Sequence, residues 1–232
     1  MADANRGELA VIVGAGSGLS ASLARACAAA GMKVVLAARN PSKLAELAKE
    51  TKAAAIACDA TKPAEVQALF EAVAKIGTPD LVIFNAGYRT RGPFVELDPA
   101  EVEKTLISSA FGGFLVAQEA AKRMLPQGKG SIFFTGASAS VKGYAQSAPF
   151  AMAKFALRGL AQSLARELQP KGIHVAHFVI DGGIAGTSTD RSSGDDKWLD
   201  PDSIAQTYLA VHRQHRSAWS LEMEVRPWVE KF

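Results

Sequence analysis

Residues 9–20 read Leu9-Ala10-Val11-Ile12-Val13-Gly14-Ala15-Gly16-Ser17-Gly18-Leu19-Ser20. The first five form an unbroken apolar run that ends at a glycine, which predicts a β-strand buried on both faces of a sheet. Residues 21–30 are rich in Ala, Leu and Arg and predict a helix directly after the turn. A strand, a glycine turn and a helix direct free backbone N–H groups and the positive helix end at one place. The stretch is therefore typical of a phosphate-binding site.

The glycines of this turn depart from the common G-x-G-x-x-G pattern, because Leu19 stands where the last glycine belongs. The spacing that fits is Gly14-x-x-x-Gly18-x-Ser20, and Ser20 is small enough to let the helix pack closely on the strand. Glycine suits the turn because the backbone must bend tightly and admit a pyrophosphate without an intervening Cβ. The alternative is a glycine-rich turn that binds no ligand.

The size and composition of the chain favour one large α/β domain over residues 1–232. Hydrophobic residues at 48% and charged residues at 21% are ordinary for a protein with an enzyme-sized core. The net charge of +3 is small, and no run of Lys and Arg is interleaved with aromatic residues, so we expect no nucleic-acid partner. The polar N-terminus lacks the apolar segment of a signal peptide, and no apolar run is long enough to span a bilayer. We therefore expect a cytoplasmic protein with no membrane partner.

Cysteine and histidine give no sign of a metal site. Cys27 and Cys58 lie far apart without a C-x-x-C pattern, so neither a disulfide framework nor a zinc site is indicated. His174 and His177 stand at odd spacing on one predicted strand and point to opposite faces, so they cannot share a metal ion.

Apolar runs alternate with helical segments along the whole chain. Further strands are predicted at residues 33–38, 53–58, 81–84, 131–134, 173–180 and 221–225. Further helices are predicted at residues 41–50, 63–76, 99–125, 150–168 and 201–212. This alternation predicts a doubly wound parallel sheet with helices on both faces. Residues 181–199, rich in Gly, Ser and Asp, are predicted to form a lid.

Small and polar residues follow the predicted strands at their carboxyl ends. Ligands of such sheets bind beyond those ends, at the crossover of the strand order. The residues that fall there are Gly14–Ser20, Arg39, Asp59, Asn85–Gly87, Ser138 and Asp181–Ile184. All of these candidates thus lie at one edge of the predicted sheet, and we expect a nucleotide site there.

These stretches resemble the short-chain dehydrogenase/reductase family over nearly the whole chain. The family's glycine turn, adenine-contacting Asp, Asn-Ala-Gly and active-site Ser match Gly14…Gly18-Leu19, Asp59, Asn85-Ala86-Gly87 and Ser138. Its Tyr-x-x-x-Lys motif is similar to Phe150-Ala151-Met152-Ala153-Lys154. The resemblance implies a single Rossmann-like domain that binds NAD or NADP. The implied cofactor-binding residues are Gly14, Ser17, Gly18, Leu19, Arg39, Asp59, Ala60, Asn85, Ala86, Gly87, Lys154, Gly182 and Ile184.

Arg39 bears on the choice between the two dinucleotides. An acidic residue at the end of the second strand would bind the ribose hydroxyls and repel a 2′-phosphate, but that position is Ala38, followed by Arg39. A guanidinium binds a phosphate in a bidentate way, so NADP is favoured over NAD. The alternative is a solvated arginine after a strand.

The family pattern breaks at the proton-transfer residues. In the family a tyrosine hydroxyl passes a proton to the carbonyl oxygen, a neighbouring Lys lowers the tyrosine pKa, and a serine hydrogen-bonds the same oxygen. Phe150 keeps the ring and lacks the hydroxyl, so it cannot be an acid. Ser109 stands near the position of an Asn that holds a relay water in the family, and Asp181-Gly182 replaces Pro-Gly. The resemblance therefore implies an intact binding half and an altered proton-transfer half.

Two functions follow from these residues. The first is an NADP-dependent oxidoreductase that acts on a small carbonyl or alcohol substrate with altered or weak proton transfer, with Ser138, Lys154 and Tyr144 as the candidate catalytic residues. Tyr144, in the loop before Phe150, is either a substitute acid or a surface tyrosine. The second is a non-catalytic dinucleotide-binding sensor or partner protein.

The helices that begin at Pro99 and Phe150 resemble those that pair subunits in the family, which implies a homodimer or homotetramer.

Overall fold

Seven strands form one sheet in the computed structural model, which describes residues 7–186 and 197–229. The strands are β1 (Leu9–Val13), β2 (Lys33–Ala38), β3 (Ala54–Ala57), β4 (Leu81–Phe84), β5 (Gly130–Thr135), β6 (Ile173–Ile180) and β7 (Glu222–Val225). The helices are α1 (Leu19–Ala29), α2 (Ala45–Thr51), α3 (Pro63–Ile76), α4 (Pro99–Leu106), α5 (Gly112–Met124), α6 (Ala148–Leu168) and α7 (Pro201–His212).

The strand order is β3-β2-β1-β4-β5-β6-β7, and every neighbouring pair is parallel. Val13 at the end of β1 pairs with Ala37 on one side and with Phe84 on the other. The chain winds outward in both directions from β1 and β4, so the crossover of the strand order lies between these two strands. The predicted doubly wound parallel sheet is confirmed, and its crevice opens beyond Val13 and Phe84.

Two apolar cores cover the two faces of the sheet. The alternation of β1 divides its side chains between them, since Val11 and Val13 belong to one core and Ala10 and Ile12 to the other. Residues of α3, α5 and α6 complete the first core, and residues of α1 and α7 complete the second. Burial on both faces explains why the central strands carry continuous apolar runs rather than alternating patterns.

The helix predicted at residues 99–125 is two helices, because a wider π-helical turn at Ile107–Phe111 separates α4 from α5. The first residues of α5, directly after this turn, lie against β4, and glycine is needed there. A Cβ on Gly113 would come within 2.5 Å of Leu157 and 3.3 Å of Phe84. Such turns often lie at functional sites, and here the turn places the hydroxyl of Ser109 3.4 Å from the backbone nitrogen of Tyr88.

The flanks of the predicted lid are held together. Ile184 and Leu199 form an isolated bridge, Ala185 N donates to Leu199 O at 2.8 Å, and Leu199 N donates to Gly183 O at 2.8 Å. Residues 187–196 of the predicted lid lie outside the described residues.

Cysteine side chains in the structure are free and buried at both positions. Burial raises the pKa of Cys27 to about 12 and that of Cys58 to about 11.

None of the helices in the described ranges combines the length and the apolar character needed to cross a membrane. Likewise, no three His, Cys, Asp or Glu side chains of residues 7–186 and 197–229 come together as a metal-binding group.

The buried imidazole of His177 lies beside the carboxyl end of β5. Its Nδ1 is 3.3 Å from Glu222, yet neither ring nitrogen makes a hydrogen bond within the described part of the chain. Burial lowers the pKa of His177 to about 4, assisted by the charges of Lys154 and Arg158 and opposed by that of Glu222. The native state therefore holds this imidazole neutral where an unfolded chain would protonate it.

We expect His177 to make the protein less stable as the pH falls from about 6.5 to about 4. In this window the unfolded state binds more protons than the native state. Each unit by which the pH is lowered therefore reduces the free energy of unfolding by up to about 1.4 kcal/mol through this group. Urea unfolding between pH 4 and pH 7 measures the slope. His177→Leu should flatten it, and a slope equal to that of the native chain would contradict the prediction.

Candidate active site

The turn after β1 is pressed against the segment after β4. Gly14 has a φ of +86°, and a Cβ there would lie 2.4 Å from the backbone nitrogen of Ala86. Any other residue at this position would meet both backbone strain and a clash with the main chain. Gly14 is thus required for the contact between the two strand ends rather than for the approach of a ligand.

Ser20 connects the same two segments through its hydroxyl. It donates to the carbonyl oxygen of Gly14 at 3.0 Å and accepts from Nδ2 of Asn85 at 2.7 Å. Asn85 is held from its backbone as well, because its N–H donates to Val13 O at 2.8 Å. The sequence indicates only that Ser20 is small; this hydrogen-bonding role is not predictable from it, because the contact joins residues 65 positions apart.

The outer part of the turn leaves donors free. The N–H groups of Gly14 and Ala15 donate to Ala37 O at 3.0 Å, but those of Gly16, Ser17 and Gly18 donate to no group within residues 7–186 and 197–229. A Cβ built on Gly16 or Gly18 meets nothing within 4 Å. Free donors, open space and the N-terminus of α1 together form a cradle that fits two linked phosphates.

An open cleft of about 800 Å³ extends from this cradle along the carboxyl ends of the strands. It has two parts, one beyond β2 and β3 and the other beyond β4. The predicted binding residues that line it are Gly14, Ser17, Arg39, Asp59, Ala60, Asn85, Ala86 and Gly87. The structure therefore brings together residues from four different strand ends in one cavity large enough for a dinucleotide.

The part of the cleft beyond β2 is cationic. Arg39 and Lys43 are both exposed and both line it, and within the described residues neither forms an ion pair. Lys43 was missed from the sequence, although its place in the first turn after the Asn40 cap puts it beside Arg39. Two cations at this end are suited to an additional phosphate.

Asp59 provides an acceptor beyond β3. Partial burial opposes its ionisation, but hydrogen bonds from the N–H and hydroxyl of Thr61, at 3.0 and 2.7 Å, and the charges of Lys62 and Arg39 outweigh that effect. The pKa of Asp59 is consequently lower than its ordinary value. The carboxylate is ionised at neutral pH, and both Thr61 bonds use Oδ1.

Lys154 lies behind the segment that follows β4. Its side chain is buried, and Nζ donates to the carbonyl oxygen of Thr135 at 2.8 Å and lies 3.9 Å from the position of a Cβ on Gly87. It forms no ion pair in the described part of the chain, and burial lowers its pKa to about 8. The ammonium retains donors for a ligand at Gly87.

Phe150 precedes Lys154 by one turn of α6, and its ring centroid lies 5.7 Å from Lys154 Nζ. The guanidinium of Arg89 lies over the same ring, 4.8 Å from the centroid. The ring therefore lies close to two cations and carries no polar atom.

The remaining predicted residues do not line the cleft. Ser138 is half-buried in a short 3₁₀ turn after β5, and Tyr144 is 45% exposed in the loop before α6. Gly18 and Leu19 begin α1, and Gly182 and Ile184 follow β6. The structure also places Tyr88 in the cleft lining, with its hydroxyl donating to Glu101 and the Lys104 ammonium 4.0 Å from its ring centroid.

The family model described as short chain dehydrogenase matches residues 8–198 of this chain. Among curated proteins, (+)-borneol dehydrogenase 1 of Salvia officinalis is 37% identical over 201 residues, which cover 82% of this chain and 74% of that protein.

Solved structures match over almost the whole chain. A short-chain dehydrogenase from Rhodopseudomonas palustris has a TM-score of 0.85 at 36% identity and covers 96% of this chain and 100% of its own. A metagenomic short-chain oxidoreductase in complex with NADP has a TM-score of 0.83 at 26% identity, and the match covers 96% of this chain and 98% of that one. The sheet and its crevice thus have counterparts in a protein solved with a bound dinucleotide.

Proposed function

Because this chain belongs to the short-chain dehydrogenase family, whose members bind NAD or NADP, we propose that it is an NADP-dependent oxidoreductase that interconverts a carbonyl compound and an alcohol. The observation that carries the proposal is the single cleft that joins the phosphate cradle at Gly16–Gly18 to Arg39 at one end and to the Gly87 segment beside Lys154 at the other.

Each part of the cleft has a role in this proposal. The free N–H groups of Gly16 to Gly18 bind the pyrophosphate, Asp59 accepts a hydrogen bond from the adenine, and Arg39 and Lys43 bind the 2′-phosphate. Lys154 donates to the hydroxyls of the nicotinamide ribose. The bound nicotinamide supplies or accepts the hydride, and the chain orients the carbonyl carbon next to it.

We expect Arg39→Ala to weaken NADP binding by about 10- to 100-fold, because it removes a charge-assisted contact worth about 1.5–3 kcal/mol. NAD lacks the 2′-phosphate, so its affinity should change by less than about threefold. Calorimetric titration of both dinucleotides measures the two effects.

The control for this change is Lys33→Ala. Lys33 is an exposed cation at the opposite end of β2, so its removal alters the net charge equally without touching the cleft. An equal loss of NADP and NAD affinity in Arg39→Ala would overturn the proposed preference for NADP. Failure of the native chain to bind either dinucleotide would overturn the proposed function itself.

Proton transfer is the altered part of the proposed reaction. Phe150 occupies the position that the family gives to its tyrosine, so the oxygen of the substrate receives its proton from another group. Ser138 hydrogen-bonds that oxygen. The proton donor is Lys154, because it is the ionisable group of α6 that lies nearest to the Phe150 ring and because burial lowers its pKa to about 8. Tyr144 stays the alternative donor, and a Tyr144→Phe variant with unchanged turnover would remove it.

The absence of a phenol at residue 150 favours a second candidate function, a dinucleotide-binding sensor or partner protein without turnover. Both candidates require the cleft to bind NADP. Oxidation of NADPH over a panel of aldehydes, ketones and oxo acids separates them, because only the oxidoreductase consumes NADPH in proportion to the carbonyl that is reduced.

We also propose that the chain forms a homodimer or homotetramer. Large apolar side chains are exposed on neighbouring surfaces of the α4–α5 region and α6, namely Phe111, Phe114, Met152 and Phe155, each 42% to 51% exposed. Exposed apolar groups of this size are typical of an interface. Light scattering on the purified chain gives its mass in solution, and a monomer at high concentration would contradict the proposal.

A further inference from the structure

Arg89 and Arg91 follow the Gly87 segment, and Arg89 lies at the reacting end of the proposed site. The guanidinium of Arg89 lies 4.8 Å from the centroid of the Phe150 ring, which is itself 5.7 Å from Lys154 Nζ. The segment is held in place because Gly92 N donates to Gln146 O in the loop before α6, at 3.1 Å. Arg89 thus lies beside the ring at which the family places its proton donor.

Neither Arg89 nor Arg91 has an acidic partner among residues 7–186 and 197–229. Other cations of the same region are neutralised, since Lys104 pairs with Glu101 and Lys142 pairs with Asp181. Arg89 is exposed overall, but its guanidinium is partly buried. This burial, and to a smaller extent the charge of Arg91, lowers the pKa of Arg89. Two like charges that lack a counter-ion favour the binding of an anion.

This positive region is separate from the phosphate-binding part of the cleft. Gly16 and Ser17 of the cradle and the cations Arg39 and Lys43 line the cleft, whereas Arg89 and Arg91 do not. The dinucleotide therefore leaves Arg89 without a phosphate, and the anion must belong to the second ligand of the site.

On the basis of the proposed function, we propose that Arg89 binds the carboxylate of the substrate, so that the site reduces oxo acids to hydroxy acids or oxidises hydroxy acids to oxo acids. In the reduction the carbonyl carbon accepts a hydride from the reduced dinucleotide, the electron pair of the C=O bond moves to oxygen, and that oxygen takes up one proton. The products are the hydroxy acid and the oxidised dinucleotide.

The geometry explains why arginine serves at this position. A guanidinium stacked on an aromatic ring keeps its N–H edge free, and that edge matches the two oxygens of a carboxylate. Because Phe150 and Lys154 are one turn apart on α6, a carboxylate held at the edge of this guanidinium places the adjoining carbonyl on the same side of the helix as Lys154. The Phe150 ring therefore becomes part of a carboxylate site.

Binding and turnover both test this inference. The binding probe is oxamate, a carboxylate that mimics a 2-oxo acid and is not reduced, and the neutral control is oxamide. Calorimetry on the complex with oxidised NADP should show oxamate binding at least about 30-fold more tightly than oxamide. For turnover, kcat/KM for a 2-oxo acid should exceed that for its methyl ester by at least about 30-fold.

Arg89→Met keeps an apolar stem over the ring and removes the charge. It should abolish both preferences, Arg89→Lys should keep a part of each because the charge remains without the planar fork, and Arg216→Met, at a remote exposed arginine, should change neither. A circular dichroism melt shows that each variant is folded.

Three outcomes separate the failure of this inference from the failure of the proposed function. If the chain binds NADP and reduces neutral ketones as well as oxo acids, with Arg89→Met unchanged, the carboxylate site is overturned and the oxidoreductase stands. If oxamate binds equally to the native chain and to Arg89→Met, the inference is overturned again. If NADP does not bind at all, the proposed function fails first.

Discussion

Phe150→Tyr is expected to raise the turnover number for carbonyl reduction by about 10²–10⁴-fold, the usual contribution of a positioned general acid. The ring of Phe150 already lies 5.7 Å from the Lys154 ammonium, and the tyrosine adds only one oxygen at the edge of a half-buried ring. A nearby positive charge favours the phenolate and lowers the pKa of the new hydroxyl from about 10 toward neutrality. Single-turnover mixing of the NADPH complex with a ketone measures the gain.

The matched control adds the same hydroxyl elsewhere on the helix. Phe155 is 44% exposed on α6, and Phe155→Tyr should leave turnover within about twofold of the native value. Ser138→Ala in the Phe150→Tyr background should remove much of the gain, because both hydroxyls would bind the same substrate oxygen. A Phe150→Tyr protein with native turnover would show that proton delivery does not limit the reaction and would contradict the assigned role of residue 150.

Arg89 makes this experiment sensitive to the substrate. Tyrosine keeps the ring on which the guanidinium packs, so a carboxylate held by Arg89 should be retained in Phe150→Tyr. The gain should therefore appear for an oxo acid without a loss of its affinity. A gain confined to neutral ketones would indicate that the new hydroxyl displaces the carboxylate.

The central strands could be predicted from the sequence because burial on both faces leaves a direct record in the residues. Val11 and Ile12 belong to different cores, so β1 tolerates no polar residue and appears as a continuous apolar run. The break between α4 and α5 leaves no such record. The wider turn at Ile107–Phe111 is followed directly by Gly113, which packs against Leu157 and Phe84, and helix propensity does not contain a tertiary contact of this kind.

The candidate site was predictable to the extent that it is built from strand ends. Arg39 and Asn85 follow a strand directly and Asp59 follows β3 after one residue, so the parallel order of the sheet alone brings them to one edge. The bond from Asn85 to Ser20 and the position of Arg89 over Phe150 were not predictable, because they depend on side-chain directions in the turns. Loops carry function at positions that strand periodicity does not determine.

Lys154→Met is expected to make the free protein more stable and to weaken its binding of NADP. The ammonium is buried with Thr135 O as its hydrogen-bond partner, and the difference between its ordinary pKa of 10.5 and the buried value of about 8 corresponds to about 3 kcal/mol at neutral pH. Methionine keeps the apolar stem, while the loss of the bond to Thr135 costs about 1–1.5 kcal/mol. The free energy of unfolding should therefore rise by about 1–2 kcal/mol at pH 7, as measured by urea unfolding.

NADP affinity should move in the opposite direction, since the proposed hydrogen bonds from Lys154 to the ribose are charge-assisted and worth about 1.5–3 kcal/mol. The dissociation constant should rise by about 10- to 100-fold in calorimetry. Lys75→Met, at an exposed lysine of α3, should change neither quantity. A variant that is less stable than the native chain and binds NADP normally would show that Lys154 serves the fold and not the cofactor.

The pH dependence of stability gives the sharper form of the same prediction. The native pKa of Lys154 lies below the unfolded one, so between about pH 8 and pH 10.5 the unfolded state binds more protons and the native chain gains stability as pH rises. Lys154→Met lacks this gain, so its advantage should shrink across that window, reach zero near about pH 9 and become a deficit of about 1–1.5 kcal/mol near pH 10.5, where only the lost bond to Thr135 remains. The buried thiols Cys27 and Cys58 titrate nearby, but they act equally in both proteins and cancel in the difference. An advantage that is constant with pH would mean that the buried ammonium carries no electrostatic cost, and the opposition between stability and cofactor binding at this residue would be wrong.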